Sequence, residues 1–249
     1  MSMQIQSLKG KVVLVTGAGS GLGEATASAF ADAGCMVACI DLNREAIERV
    51  SHSLEERDAR SIALPCDVSD ASSVLATVNA TVQQLGRLDI VVNGAAIDHT
   101  LSVEEMSVEQ WDQVINVNLR GPFLFAKAAW PYMKQQQAGH IINIASTAAL
   151  RSWGNASAYH ASKRGLIGFG QGLGVEGRQY GICVTTMIPG GMNTHFFDRF
   201  ADQGIPMPDP KNLQSPATVA ASIVFAAQVP AESNIQEMLL TPSTETSWP

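Results

Sequence analysis

The sequence predicts an α/β protein built on a doubly wound parallel sheet of about seven strands, with helices on both faces. Short β-branched apolar runs alternate with longer segments of helical pattern along the whole chain. Several of those runs are continuously apolar, as strands covered on both faces must be. No repeat, low-complexity tract or linker interrupts the alternation, so residues 1–249 are expected to form a single domain.

In chain order, residues 11–16, 36–41, 61–66, 88–93, 140–145, 181–187 and 235–240 read as the strands. The segments between them begin on recognisable caps. Asn43 and Asp70 are good N-caps, Ser107 with Gln110 three residues later has the capping-box pattern, and Ser215 precedes Pro216 at a first helical position. Two longer helices are expected near 111–137 and 158–178. The one long irregular stretch, 190–214, exceeds a passive connection and reads as a lid or binding loop.

Composition narrows the function. Only 16% of residues are charged while 46% are apolar, so an unusually large share of the chain should be buried. A net charge of −7 without a Lys/Arg cluster excludes the basic footprint of a nucleic-acid partner. Nothing approaches a membrane span, and residues 1–9 lack the pattern of a signal peptide, so a cytoplasmic protein is expected. Cys35, Cys39, Cys66 and Cys183 show no CxxC spacing and read as small buried hydrophobes. His99, His160 and His195 are not spaced as metal ligands, and no metal is expected.

Chemistry enters directly after the first strand. Gly17, Ser20, Gly21, Leu22 and Gly23 form a glycine-rich turn that opens an Ala-rich helix. Such glycines let the backbone approach a pyrophosphate, and the new helix directs its free N–H groups and positive dipole end at the anion. Asp41 ends the second strand about 20 residues on, which completes the Rossmann-type dinucleotide pattern. A carboxylate there accepts hydrogen bonds from the adenosine ribose and repels a 2′-phosphate, so NAD is expected as cofactor rather than NADP. Arg44 lies close enough to weaken that inference but reads better as a solvated first-turn residue.

The spacing of Gly17, Gly21 and Gly23, then Asp67-Val68, Asn118, Ser146, Tyr159-xxx-Lys163 and Pro189-Gly190, resembles the short-chain dehydrogenase/reductase family over nearly the whole chain. Tyr159 and Lys163 are four apart, so on a helix they share a face. A phenol with an ordinary pKa of about 10 is too weak a base at neutral pH, and an adjacent cation favours the phenolate. The resemblance implies that Tyr159 is the acid/base, that Lys163 holds the nicotinamide ribose, that Ser146 binds the substrate oxygen and that Asn118 supports a proton-relay water. With the phosphate loop, the expected cofactor site comprises Asp41, Leu42, Asp67, Val68, Asn93, Ala95, Tyr159, Lys163, Pro189, Gly190, Met192 and Thr194. Where the family usually has Asn-Asn-Ala-Gly, this chain has Asn93-Gly94-Ala95-Ala96, from which altered local rigidity with binding retained is expected.

Trp153, Phe196 and Phe197 are the candidate substrate walls, which suits an apolar or aromatic alcohol/ketone pair. The helix near 158–178 carries Gly165, Gly168, Gly170, Gly172, Gly174 and Gly177, and something outside it must support so poor a helix. In the resembling family this helix and the preceding one form subunit interfaces, so a homodimer or homotetramer is expected. The leading expectation is an NAD-dependent secondary-alcohol dehydrogenase. An NADPH-dependent 3-oxoacyl-thioester reductase sits poorly with Asp41, and a non-catalytic dinucleotide-binding scaffold sits poorly with Asn118, Ser146, Tyr159 and Lys163 together. The tail past Leu240, ending in Trp248-Pro249, reads equally as a cover for the site or an interface and as a frayed end.

Overall fold

The computed structural model describes residues 5–198, 200, 205–230 and 232–245. Its strands are β1 (Val12–Thr16), β2 (Met36–Asp41), β3 (Ser61–Pro65), β4 (Ile90–Asn93), β5 (Gly139–Ile144), β6 (Ile182–Pro189) and β7 (Glu237–Leu240). They form one parallel sheet in the order β3-β2-β1-β4-β5-β6-β7. The sequence-predicted run at 181–187 continues further than expected, because Ile188 and Pro189 pair with Leu239 and Leu240. The helices are α1 (Gly21–Asp32), α2 (Arg44–Glu55), α3 (Ala71–Leu85), α4 (Val108–Ile115), α5 (Gly121–Gln136), α6 (Ser157–Gly177) and α7 (Pro216–Ala227).

Successive strand residues point to opposite faces. Val13 and Val15 of β1 pack with Phe30 of α1 and Ile223 of α7, whereas Val12 and Leu14 pack with Val78 of α3 and Phe125 of α5. Both faces are covered, which is why the strands read as unbroken apolar runs. Where a carboxylate is buried it is fully engaged: Asp89 accepts from Lys11 Nζ at 3.0 Å, from Arg87 at 2.7 Å twice and from the Val12 N–H at 2.9 Å.

All four expected caps form. The Asn43 side chain accepts from Ala46 N–H, Asp70 from Ser72 and Ser73, Ser215 from Ala217, and Ser107 with Gln110 makes the reciprocal capping box. The expected helix at 111–137 is divided, however. A π-helical turn, Asn116–Arg120, joins α4 to α5 and carries Asn118. Such turns are rare and concentrate at functional sites.

The glycines of α6 divide into two groups. A Cβ at Gly170 would lie 2.6 Å from Thr186 Oγ1 and one at Gly177 would lie 2.6 Å from the Ile182 carbonyl, so the helix sits closer to β6 than any side chain would permit. Gly168 and Gly172 meet nothing within 4 Å and are exposed.

The chain leaves β1 toward β2 and β3 on one side and returns to β4 on the other. Open α/β sheets hold ligands at this reversal, outside the carboxyl ends of the strands. No helix among the described residues is long and apolar enough to cross a membrane.

Candidate active site

A cavity of about 600 Å³ opens at that reversal. Every sequence-predicted site residue lines it except Asn93 and Asn118. One end is the glycine turn. Gly17 has φ +71°, and a Cβ on it would lie 2.9 Å from Ala95 Cα; a Cβ on Gly23 would fall 1.9 Å from the Gly17 carbonyl oxygen. Ser20 caps α1 with extended backbone and makes no side-chain cap bond. The first-turn N–H groups of α1 therefore have no side-chain acceptor from their cap. Asp41, at the end of β2, accepts from the Gly19 N–H at 3.1 Å and the Asn43 N–H at 3.0 Å. Its carboxylate is thus oriented beside the turn.

The other end is built by β5 and α6. Ser146 lies just past β5, where its Oγ accepts from the Ala148 N–H at 3.1 Å and caps a short 3-10 turn, Thr147–Ala149. Tyr159 and Lys163 lie on one face of α6, with Lys163 Nζ 5.6 Å from the centre of the Tyr159 ring. Lys163 is only 2% exposed, and Nζ donates to the Ile144 carbonyl at 2.8 Å. Burial pushes its pKa down to about 7. Phe196 packs on Tyr159 at 5.6 Å between ring centres, and Phe197 stands edge-on to Phe196 at 5.9 Å. Residues 199 and 201–204 of the expected lid, like Trp248 and Pro249, lie outside the described residues.

The donor set fits a dinucleotide. The glycine cradle admits backbone and no side chain, and Lys163 brings three donors to a buried position lining the cavity, where among the described residues the Ile144 carbonyl is its one acceptor, a natural match for ribose hydroxyls. Two arginines lie on α2 beside the adenosine end, and each is matched by a carboxylate. Arg44 pairs with Glu48 at 3.4 Å on the exposed face, and Arg49 pairs with Glu24 at 2.7 Å.

Asn118 and Asn93 lie behind the cavity wall. Asn118 is 1% exposed; its Oδ1 accepts from the Ile97 N–H at 2.8 Å, and Nδ2 donates to the Ile97 carbonyl at 2.8 Å and to Ser162 Oγ at 3.1 Å. Asn93 Nδ2 donates to Asn143 Oδ1 at 2.9 Å, between β4 and β5. The departure at Gly94 is accommodated by Thr16, whose Oγ1 accepts from the Gly94 and Ala95 N–H groups at 3.0 and 3.1 Å. A Cβ at 94 would lie 2.8 Å from the Thr16 carbonyl oxygen, so this backbone path suits glycine.

Sequence reasoning missed Gln113, Ile97 and Thr147 as cavity walls. Thr147 adjoins Ser146 and was open to inference. Gln113 lies on α4, and Ile97 follows β4 and is held by Asn118 of the π-helical turn; no local pattern announces either. Among the described residues no cluster of His, Cys, Asp or Glu has the makings of a metal site.

The fold and this crevice define a dinucleotide-binding α/β protein. Comparison with known proteins makes the class specific. Residues 11–204 match the family model for short chain dehydrogenase. The chain is 40% identical over 182 residues to D-threitol dehydrogenase of Mycolicibacterium smegmatis, spanning 73% of this chain and 70% of that one. It is 36% identical over 241 residues to the uncharacterized oxidoreductase YxjF of Bacillus subtilis, covering 90% of this chain and 94% of the relative. Among solved structures, levodione reductase superposes with a TM-score of 0.85 at 30% identity, covering 94% of this chain and 97% of that one. A metagenomic short-chain oxidoreductase in complex with NADP gives 0.84 at 28%, covering 96% and 100%. The chain belongs to the short-chain dehydrogenase/reductase family. It is an oxidoreductase of that family, whose members bind a nicotinamide dinucleotide.

Proposed function

We propose that the protein is an NAD(H)-dependent dehydrogenase that interconverts a secondary alcohol and a ketone, with Tyr159 as acid/base. The observation that carries this reading is the buried Lys163 beside Tyr159 on α6, both facing the cavity that begins at the glycine cradle. A nicotinamide dinucleotide held by the glycine cradle and Lys163 would supply the hydride acceptor for the oxidative direction. Tyr159, as the phenolate, takes the proton from the alcohol, and as the phenol returns it in reduction. The ammonium of Lys163 stabilises the phenolate that accepts this proton. Ser146 Oγ hydrogen-bonds the substrate oxygen, and Phe196 and Phe197 close the walls against water.

Asp41 supports NAD over NADP, since a 2′-phosphate near its carboxylate would meet a negative charge with the nearby arginines already paired. The aromatic walls favour an apolar or aromatic substrate. A polyol is the second reading: the relative from M. smegmatis is named for D-threitol, and Gln113, Thr147 and His195 give this cavity polar groups as well. We further infer a homodimer or homotetramer in the cytoplasm. Exposed Phe123 and Val175 on α5 and α6, with the open Gly168 and Gly172, support the assembly, and four free cysteines support a reducing compartment. A monomer in sedimentation at micromolar concentration would remove the assembly from the reading.

The deciding experiment is NADH formation over a panel of aliphatic, aromatic, steroid and sugar-derived secondary alcohols, repeated with Tyr159→Phe. The substitution should reduce turnover by about two to four orders of magnitude while NADH binding persists. Turnover surviving in Tyr159→Phe would sink the assignment, and an absence of turnover in the wild type across the whole panel, with NADH still bound, would favour a scaffold.

A further inference from the structure

His160 follows Tyr159 on α6 but faces the loop between Ser146 and α6 rather than the crevice, and it has no part in the proton transfer above. Its ring makes contacts at both ends of that loop. Nδ1 lies 2.6 Å from the Ala148 carbonyl, and Nε2 lies 3.2 Å from the backbone nitrogen of Trp153 and 3.3 Å from its carbonyl. A carbonyl only accepts, so the 2.6 Å contact places the hydrogen on Nδ1; in the neutral ring Nε2 is then the acceptor for the Trp153 N–H. The indole of Trp153 also stands edge-on to the imidazole, 4.5 Å between centres. Trp153 is 49% exposed yet lines the cavity, so few of its own packing contacts hold it there.

We propose that His160 is a positioning residue that holds Trp153 at the mouth of the cavity and thereby sets which substrates fit. The inference rests on the reading of Trp153 as a substrate wall. The loop between Ser146 and α6 is long enough to take other courses, and Arg164 fixes only its early part, donating to the Ala149 carbonyl at 2.7 Å. Beyond Leu150 the loop is held by the Arg151 N–H, which donates to the Thr147 carbonyl at 3.1 Å, by the Arg151–Glu245 ion pair at 3.0 Å, and by the Trp153 N–H, which donates to His160 Nε2 at 3.2 Å. Among the described residues, His160 is the hydrogen-bond partner of the Trp153 N–H. The near end of the loop is different, because Ser146 Oγ and Arg164 hold it independently. His160 therefore governs substrate fit while the proton-transfer groups stay in place.

Two substitutions separate its contacts. His160→Asn keeps a donor at the position of Nδ1 and loses the reach to Trp153, whereas His160→Gln keeps an acceptor at the position of Nε2. The first measurement needs no turnover: Trp153 emission, obtained by subtracting the spectrum of a Trp153→Phe variant from that of its parent. In His160→Asn the iodide quenching constant of Trp153 should rise at least threefold, and in His160→Gln it should stay within a factor of 1.5 of the wild type. The second is kinetic. With 1-phenylethanol and NAD, KM should rise at least fivefold in His160→Asn with kcat within twofold, return toward the wild type in His160→Gln, and remain unchanged for 2-propanol in both. Trp153 emission unchanged in His160→Asn overturns the proposal, as does a loss confined to kcat. Should neither alcohol be a substrate, the emission result alone decides on His160, and the failure belongs to the activity assigned above.

Discussion

Arg49 grips Glu24 through both carboxylate oxygens, at 2.7 and 2.9 Å, and the guanidinium nitrogen that makes the longer bond also donates to the Gly19 carbonyl at 3.0 Å. Gly19 is the residue whose N–H binds Asp41. Gly19 of the phosphate turn is therefore held on both sides, its N–H by the Asp41 carboxylate and its carbonyl by a cation already committed to another carboxylate. The same bonds keep the Glu24 carboxyl below its usual pKa. If Asp41 favours NAD as proposed, Glu24 should contribute to that preference by keeping Arg49 occupied. Glu24→Ala frees the guanidinium for a 2′-phosphate, and the ratio of kcat/KM for NADP over NAD should rise about tenfold, or ~1.4 kcal/mol. An unchanged ratio would leave Asp41 as the sole determinant at this end.

Lys163 is held in an environment that disfavours its charge. Burial lowers its pKa from 10.5 to about 7, so the unfolded chain binds more protons than the folded one between those limits. The penalty is complete below pH 7, shrinks as pH rises and vanishes near 10.5. The shift sets an upper bound of about 5 kcal/mol, which local relaxation reduces. Lys163→Met should therefore abolish turnover and still stabilise the ligand-free protein by roughly 1–2 kcal/mol at pH 7. Thermal unfolding checks it, and the gain should diminish by pH 9. A lower melting temperature at pH 7 would mean that the bond to Ile144 outweighs the buried charge.

Much of this site was legible because its chemistry depends on local spacing. The glycine turn after β1, Asp41 at the end of β2 and Tyr159 four residues before Lys163 each follow from one short segment, and the sheet follows from runs that must be apolar on both faces. Interactions across the fold were not legible. Nothing near Glu24 in sequence announces Arg49, which is 25 residues away. Thr16 gives no sign that it will gather the N–H groups of Gly94 and Ala95, 78 and 79 residues on. The glycines of α6 read as one pattern, but only contact with β6 separates Gly170 and Gly177, which are packed, from Gly168 and Gly172, which are open.

His140 makes acid stability a property of the sheet. Its Nε2 lies 2.7 Å from Thr185 Oγ1, which itself donates to the Ile235 carbonyl at 2.6 Å. The hydroxyl therefore accepts from Nε2–H, and the ring is held neutral in one tautomer. Burial lowers its pKa from 6.5 to about 4. The unfolded state binds the extra proton, so this contribution is fully present above pH 6.5 and is lost as pH falls through 4, with an upper bound of about 3 kcal/mol. His140→Gln keeps a donor without a titrating group, and its stability should decline less than the wild type's between pH 6.5 and 4. Parallel declines in the two proteins would show that other groups dominate acid unfolding.

Asn118 offers the sharpest division between a chemical and an architectural role. Its side-chain oxygen is taken by the Ile97 N–H, and its two N–H bonds go to the Ile97 carbonyl and Ser162. No side-chain donor is left over for the cavity. What the residue does is join the π-helical turn before α5 to the segment after β4, where Ile97 forms part of the cavity wall. Asn118→Ala strips partners from the half-buried N–H and carbonyl of Ile97, and each unsatisfied group costs up to about 1–3 kcal/mol. The variant should lose roughly 2–4 kcal/mol of stability, bind NADH more weakly because the wall moves, and lose kcat as a secondary result. If Asn118→Ala instead keeps wild-type stability and NADH affinity and loses only kcat, its side chain addresses the reaction directly and the hydrogen-bonded arrangement described here does not persist in the working enzyme.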